Sequence, residues 1–580
     1  MEMQVGFDDF GKVRANGLAF VDKTLFIKDV LDNKGTEVSV ITRPRRFGKT
    51  FNLSTLHYFL ASEVNQQKTE NLFDGLKIST ADNGSYMQHQ GKQPVVFISF
   101  KGISSGSYDL TYSQLSTLII NVFNEHNYLG QSDKLTKSDK ETFQSILSKQ
   151  ADRAVIEDSL RFLTSILFKH FGIKPWLLID EYDTPIQSGY LDNYYDKIVN
   201  LIRGMLGAAL KTNPYFERAI ITGILRVAKE SIFSGLNNLK VYSLLHPKYG
   251  QYFGFTEEEV ASLLKQARLE EKAEDIKRWY NGYRFGNTTV YNPWSIANCI
   301  QESGELKPYW ANTSENALIK DLLIQSPVSF KKQFECLLQD QPIEKIIDEN
   351  MVFGDLKKNP SAVWNLLIMT GYLKATAVVE TEQGTECQIE IPNIEIRSLY
   401  RKIIEQWLGS GKDVEWYNQF LEFLLHGEVE KFSESLEQVL IQTISVHDTA
   451  KQPEAFFHGF MLGLTASLSK NDHEIKSNRE SGYGRYDIAI LPKDISKPAI
   501  VLELKSMTSP KVPKKNLAKV LDSLLDREAQ KALGQINKQQ YVAEIVQRGF
   551  VNIIKIGLAF CGKNFKVVSE KSRVDQRTRG

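Results

Sequence analysis

Short runs of large and β-branched apolar residues punctuate the first 250 residues: Val38-Ser-Val-Ile41, Val95-Val-Phe-Ile98, Trp176-Leu-Leu-Ile179 and Ala219-Ile-Ile-Thr222. They are apolar at nearly every position rather than at every second one, the pattern of strands buried on both faces. Amphipathic stretches between them supply helical crossovers, so the pattern predicts a parallel sheet with helices packed against it. From about Phe255 to Phe457 the periodicity is mostly helical, as over Glu257 to Tyr280, with a hairpin expected around Ala375 to Glu390. A third region starts near Pro453 with an apolar helix. It continues with strands Tyr486-Asp-Ile-Ala-Ile-Leu491 and Ala499-Ile-Val-Leu-Glu-Leu504, a polar loop with two prolines, a long helix to about Gln547 and a late strand at Asn552 to Phe560. No internal repeat and no low-complexity linker interrupts the chain.

Composition narrows the class. The chain has 580 residues, 42% hydrophobic and 24% charged, which excludes a disordered or fibrous protein and leaves room for several domains. Cys299, Cys336, Cys387 and Cys561 lie far apart without a CxxC pair, so neither a zinc cluster nor a disulfide framework is indicated and a reducing compartment is expected. The N-terminus mixes acids and bases without an apolar stretch, and no run reaches the ~18 apolar residues of a membrane span; a cytoplasmic location is expected, with export by a specialised secretion system left open. Charge is uneven. From Ser506 onward there are 15 Lys/Arg against 6 Asp/Glu, a net of +9 in a chain of net +1. A basic end suits a polyanionic partner, and it equally suits a solvated tail carrying Lys571, Arg573, Arg577 and Arg579.

Two constellations carry candidate chemistry. The strand ending at Ile41 runs into Thr42-Arg-Pro-Arg-Arg-Phe-Gly-Lys-Thr50 and then a helix. Gly48, Lys49 and Thr50 between strand and helix are what a phosphate loop requires: backbone N–H groups toward the anion, a lysine on the terminal phosphates, a hydroxyl on magnesium. The general GxxxxGK[ST] pattern has glycine where this chain has Arg43; either the loop closes differently or Arg43, Arg45 and Arg46 add charge. Asp180 and Glu181, adjacent at the end of an apolar strand, form a Walker B-like pair in which Asp180 serves the magnesium shell and Glu181 polarises the attacking water. Thr222, at the end of another strand, is placed to sense the γ-phosphate, and Arg226 either contacts the same phosphate or pairs with a surface acid.

The second constellation is Asp487 in Gly484-Arg-Tyr-Asp487 and, sixteen residues later, Glu503-Leu-Lys505. Residues two apart on a strand share a face, so Glu503 and Lys505 project together, and Asp487 reaches them from a neighbouring strand. Asp487, Glu503 and the Leu504 carbonyl would hold Mg2+ or Mn2+, while Lys505 orients the water of a phosphodiester hydrolysis; solvated strand ends are the alternative. Glu503 and Lys505 interrupt an apolar strand, which is costly without a partner. On the following helix Lys531, Gln535 and Lys538 form one polar stripe suited to a nucleic-acid backbone, with Tyr541 nearby; a solvated face and a core aromatic are the plainer readings. Glu480 reads as a surface acid and Glu454 as a helix-start acid, each an alternative metal ligand.

With these residues in view, the sequence resembles the bacterial AAA-ATPase-like proteins that carry a C-terminal PD-(D/E)XK nuclease domain. The carriers are Val21-Asp-Lys-Thr24, Arg43 to Thr50, Leu178-Ile-Asp-Glu-Tyr-Asp-Thr-Pro185, Ile221-Thr-Gly223, Tyr280-Asn-Gly-Tyr-Arg-Phe285 and Tyr291-Asn-Pro-Trp-Ser295. They continue with Thr370-Gly-Tyr-Leu373, Ile391-Pro-Asn-Ile-Glu-Ile-Arg397, Gly484 to Asp487, Glu503 to Lys505 and Ala532-Leu-Gly-Gln-Ile536. Such proteins have arginine at the first loop position, so Arg43 departs only from the general motif. The resemblance implies an α/β protein: an N-terminal P-loop NTPase-like parallel sheet with helices (1–250), a helical middle region (251–450) and a restriction-endonuclease-like αβ domain (451–580). It also implies ATP, a divalent metal and a nucleic acid, DNA favoured over RNA. An ATP-regulated nuclease is the leading expectation; a nucleotide-gated switch or scaffold with a vestigial nuclease fold is the alternative, and a defence or secreted effector role is compatible with either. A hexamer would need an arginine finger in trans, with Arg218 or Arg226 as the available guesses. The aromatic segment Trp279 to Trp294 reads as a lid pinned to a core or as a base-stacking platform, and Trp310, Trp364 and Tyr372 read as packing.

Overall fold

A computed structural model describes residues 6–225, 237–310, 328–338, 340–349, 353–356, 359–409, 414–443, 473–481, 484–507, 514–538, 542–561 and 564–573, with positions 319, 322, 323, 326 and 461 besides. The chain divides into two units, residues 1–319 with 342–396 and residues 320–341 with 397–580.

In the first unit, the four apolar runs form strands Val38–Thr42 (β1), Val95–Ser99 (β2), Trp176–Asp180 (β3) and Arg218–Gly223 (β4), joined by Leu239–Tyr242 (β5). Their order is β2-β3-β4-β1-β5, parallel throughout. All five side chains of β1 and of β3 are buried, as strands covered by helices on both faces require. The helix Lys49–Leu60 (α1) starts where Gly48 takes φ 82°, a left-handed turn open to glycine at no cost. After β3 the helix Thr184–Leu191 (α2) begins with Pro185 in its first turn. Because β4 lies between β1 and β3, the ends of three strands, carrying Thr42, Asp180 and Thr222, converge at one edge.

Of the middle of the chain, residues 251–319 and 342–396 belong to this unit, while 320–341 and 397–450 belong to the second. The helical stretch expected over Glu257 to Tyr280 is broken: Glu257–Ala267 ends at Arg268, whose φ is 58°, and helix resumes at Ala273–Tyr280. A short hairpin, Tyr283–Phe285 with Thr288–Val290, precedes helix Pro293–Gln301 (α3), which Asn292 caps by accepting the Ser295 N–H. Strands Ile343–Ile347 (β6), Lys374–Thr381 (β7) and Gly384–Glu390 (β8) make an antiparallel sheet in the order β6-β8-β7; the hairpin expected from sequence is β7–β8.

The second unit holds a mixed sheet of His473–Ser481 (β9), Gly484–Pro492 (β10), Ala499–Ser506 (β11), Asn552–Cys561 (β12) and Asn564–Arg573 (β13), in chain order, with β11–β12 the parallel pair. Ile488, Ile490, Ile500, Leu502 and Leu504 point to one face and pack on Val414–His426 (α4) and Val429–Thr443 (α5) through Phe420, Leu424 and Phe432. Ala489, Leu491, Ala499 and Val501 point to the other face, which Lys514–Lys538 (α6) and Ala543–Gln547 (α7) cover through Ile536 and Ile545. The sheet is thus a period-two sandwich filling, each strand feeding both layers. The apolar helix expected after Pro453 falls outside the described residues except for Met461, which packs in the first of these layers. Among the described residues no helix is long and apolar enough to cross a membrane.

Candidate nucleotide and phosphodiester sites

The loop from β1 to α1 turns on two left-handed residues, Arg46 (φ 64°) and Gly48. Lys49 is buried, and its Nζ donates to the carbonyls of Arg43 (3.1 Å) and Pro44 (3.0 Å). Burial lowers its pKa, opposed by Glu181, Asp180 and Asp183. Thr50 donates to Asp180 Oδ2 at 2.8 Å, Thr222 donates to Asp180 Oδ1 at 2.5 Å, and Ser99 adds a third hydroxyl at 3.3 Å. Asp180 is fully buried, and burial raises its carboxyl above the usual range. A buried carboxylate bonded only to neutral hydroxyls, one of them from the phosphate loop, is a donor set that suits a hydrated divalent cation. Glu181, at φ 50°, faces the cavity and takes only a long 3.4 Å bond from Thr184.

That cavity has a volume of about 630 Å³. Arg45, Arg46, Gly48, Lys49 and Thr50 line it together with Glu181, and Arg45 also donates to Gln187 of α2 at 2.9 Å. Thr222 is directed to Asp180 and does not face the cavity. Arg43 does not supply loop charge. Its side chain is fully buried and turns away from the loop, donating to the carbonyls of Thr42 (2.7 Å), Tyr242 (2.9 Å) and Lys248 (3.4 Å) between the rings of Phe253 and Phe285. Burial pulls its pKa down to about 9. Arg218 is likewise held inside its own fold, on the Val30 carbonyl (2.7 Å) and the Trp176 ring, which does not suit a finger reaching into another subunit. Arg226 lies outside the described residues.

Sequence reasoning missed part of this wall. Asp183, buried beside the cavity, accepts the N–H groups of Ile224 (2.8 Å) and Leu225 (2.9 Å) and so ties the end of β4 to the Walker B-like turn. Trp294, Trp310 and Tyr372 also line the cavity, with Trp310 and Tyr372 buried there. Glu395, wholly buried, accepts from Ser295 Oγ (2.7 Å), next to Trp294, and from the backbone N–H of Trp310 (2.6 Å). Trp364 is packing, as expected.

In the second unit the β10–β11 register pairs Ile488 with Leu502 and Ala489 with Val501, and Asp487, next along β10, lies beside Glu503 and Leu504. Asp487 Oδ2 accepts the Leu504 N–H at 2.8 Å, and Lys505 Nζ lies 3.3 Å from Glu503 Oε1. The other Glu503 oxygen, Oε2, is buried with no hydrogen-bond partner among the described residues. Burial pushes the Glu503 carboxyl up to about 8, Asp487 adds to the push and Lys505 opposes it. An orphaned buried oxygen beside a second carboxylate fits a cation, which would satisfy both. Among the described residues no third His, Cys, Asp or Glu completes a ligand cluster. The Glu480 backbone pairs with Arg485 at the far end of β9, and Glu454 lies outside the described residues. Lys531 is exposed and bound to Glu528 of its own helix at 2.7 Å, and Gln535 is half-buried. The Lys538 side chain and Tyr541 lie outside the described residues.

Residues 4–233 match the family model described as a predicted AAA-ATPase, AAA-ATPase-like, and residues 452–570 match the PD-(D/E)XK nuclease superfamily. A protein of Azotobacter chroococcum mcd 1, named only as an uncharacterized protein in the vnfD 5' region, is 25% identical over 500 residues, covering 84% of this chain and 87% of its own. The chain thus carries an AAA-ATPase-like domain at residues 4–233 and a PD-(D/E)XK nuclease superfamily domain at residues 452–570.

Proposed function

We propose that the protein binds and hydrolyses ATP, and that nucleotide at the first unit governs a metal-dependent nuclease in the second, acting on DNA in preference to RNA. The observation that carries the reading is convergence. Segments as distant as Val21, Lys49, Glu181, Trp294 and Tyr372 meet around one cavity, and these are the segments in which the resemblance lies. Lys49 would exchange the Arg43 and Pro44 carbonyls for the terminal phosphates, and the N–H groups opening α1 would face the same anion. Thr50 and Asp180 would hold magnesium, which neutralises charge developing on the phosphates. Glu181 has a free oxygen toward the cavity to polarise a water, and Thr222 keeps Asp180 oriented.

At the second site Asp487, Glu503 and the Leu504 carbonyl would hold magnesium or manganese, which supplies Lewis-acid activation of the scissile phosphate. Lys505 keeps the water oriented and balances charge at the phosphate. Lys531, Gln535, Lys538 and Tyr541 are the residues proposed to meet the nucleic-acid backbone. The test is a cleavage assay on single- and double-stranded DNA and on RNA with either metal. Cleavage that disappears in Glu503→Ala supports the nuclease. Retention of nucleic acid without cleavage by the wild type under every metal would replace it with the switch reading.

A further inference from the structure

Arg46 stands apart from the other cations of the loop. Arg43 is buried on carbonyls, Lys49 is folded onto the loop, and Arg45 reaches Gln187. Arg46 is exposed at the cavity, and among the described residues neither a carboxylate nor any hydrogen-bond acceptor takes its N–H groups. What holds it is a ring: its Cζ lies 3.8 Å from the centroid of Trp294. A guanidinium flat on an indole keeps its in-plane donors available for an anion. The backbone contributes as well, because the left-handed φ of 64° at Arg46 fixes where the side chain leaves the loop.

Trp294 is itself anchored. It sits in the first turn of α3, behind Pro293, with Asn292 capping the helix and Ser295 bonded to the buried Glu395. The same carboxylate accepts the backbone N–H of Trp310. One buried acid therefore ties the backbone at Trp310 to the helix turn that carries Trp294, and through Trp294 it reaches the phosphate loop across some 350 residues of sequence. Without the ring, Arg46 would be a long exposed side chain with many rotamers to lose on binding an anion.

We infer that Trp294 is a positioning residue of the nucleotide site: it holds the Arg46 guanidinium ready as a ligand for the polyphosphate of a nucleoside triphosphate, beside Lys49. This deepens the nucleotide-binding reading and rests on it. The site should then weigh phosphate number, since Arg46 acts on the anion and not on the base. The indole should also report the event, because a guanidinium drawn toward phosphate changes what lies over the ring.

The experiment is calorimetric titration of the full chain with ATPγS, ADP and AMP, each with magnesium. The proteins are wild type, Trp294→Phe, Trp294→Ala, Arg46→Ala and the Trp294→Ala/Arg46→Ala double variant. Trp294→Ala and Arg46→Ala are each expected to weaken ATPγS about ten-fold, the scale of one charge-assisted contact, and AMP by less than about three-fold. Trp294→Phe keeps a ring and retains most of the ATPγS affinity. The double variant is no weaker than Arg46→Ala alone, because the ring acts through the guanidinium. The inference is overturned if Trp294→Ala leaves ATPγS binding unchanged, if it weakens AMP and ATPγS alike, or if the two losses add. A wild type that binds no nucleotide at all would overturn the underlying reading together with this one, so the two failures are told apart by the wild-type titration.

Discussion

Arg43 occupies the position of the first glycine in the general phosphate-loop pattern, and it is tolerated because its side chain leaves the loop altogether. It becomes a strut between the end of β1, the end of β5 and the Phe285 hairpin. Arg43→Gly, which would restore the general motif, is therefore expected to harm the protein. It strands the carbonyls that the guanidinium serves and opens a cavity between two aromatic rings, at a cost of about 2–4 kcal/mol. Thermal unfolding measures this; an unchanged or higher Tm contradicts it. His126 gives a second prediction at this scale. It is buried at 9% exposure, its Nε2 has no partner among the described residues, and burial lowers its pKa to about 4. The folded chain excludes a proton that the unfolded chain takes up below an ordinary value near 6.5. Stability from this group is complete above that value, falls as pH drops through it, and stops falling below about 4. By pH 5 the loss is roughly 2 kcal/mol. Urea midpoints at pH 7 and pH 5 should therefore move less in His126→Gln than in wild type, and equal movement would refute the assignment.

The elements legible in the sequence were the covered ones. β1 to β4, β10, β11 and β12 are central or heavily buried, and their continuous apolar runs announce them. Among the strands that were not legible, β5, β6, β9 and β13 stand at the edges of their sheets. His473-Glu-Ile-Lys-Ser-Asn-Arg-Glu-Ser481 and Asn564-Phe-Lys-Val-Val-Ser-Glu-Lys-Ser-Arg573 carry the charges that keep an edge from pairing elsewhere, and those charges erase the strand signal. A close approach of elements was equally hidden. Gly557 on β12 lies opposite Glu503, and a Cβ there would meet the Ala529 carbonyl and come within 2.8 Å of the Leu533 nitrogen on α6. α6 thus packs backbone to backbone beside the paired carboxylates. Gly557→Val is expected to push α6 off the sheet, costing about 1–3 kcal/mol and lowering cleavage with it. A variant with wild-type urea midpoint and wild-type cleavage would show that this approach is not required.

At the scale of the whole molecule, two candidate sets could be proposed from sequence because each is made of short local motifs: Gly48 to Thr50 with Asp180 and Glu181, and Asp487 with Glu503 and Lys505. The wall of the nucleotide cavity could not be, since Trp294, Trp310 and Tyr372 are brought there by tertiary packing, for which sequence spacing offers no sign. The basic C-terminal excess also reads differently once folded. Lys531, Lys555 and Lys566 are each paired with an acid, at 2.7 Å, 3.0 Å and 3.0 Å, so a nucleic-acid surface there has fewer available cations than the count suggests. The central claim is that one chain couples nucleotide at Lys49 to hydrolysis at Glu503. Its most direct test is the initial rate of cleavage of one labelled DNA in magnesium, with and without ATP, by wild type and by Lys49→Ala. The account predicts that ATP changes the wild-type rate severalfold and leaves the Lys49→Ala rate where it stands without nucleotide. Equal wild-type rates with and without ATP, or an ATP response that survives in Lys49→Ala, would contradict it.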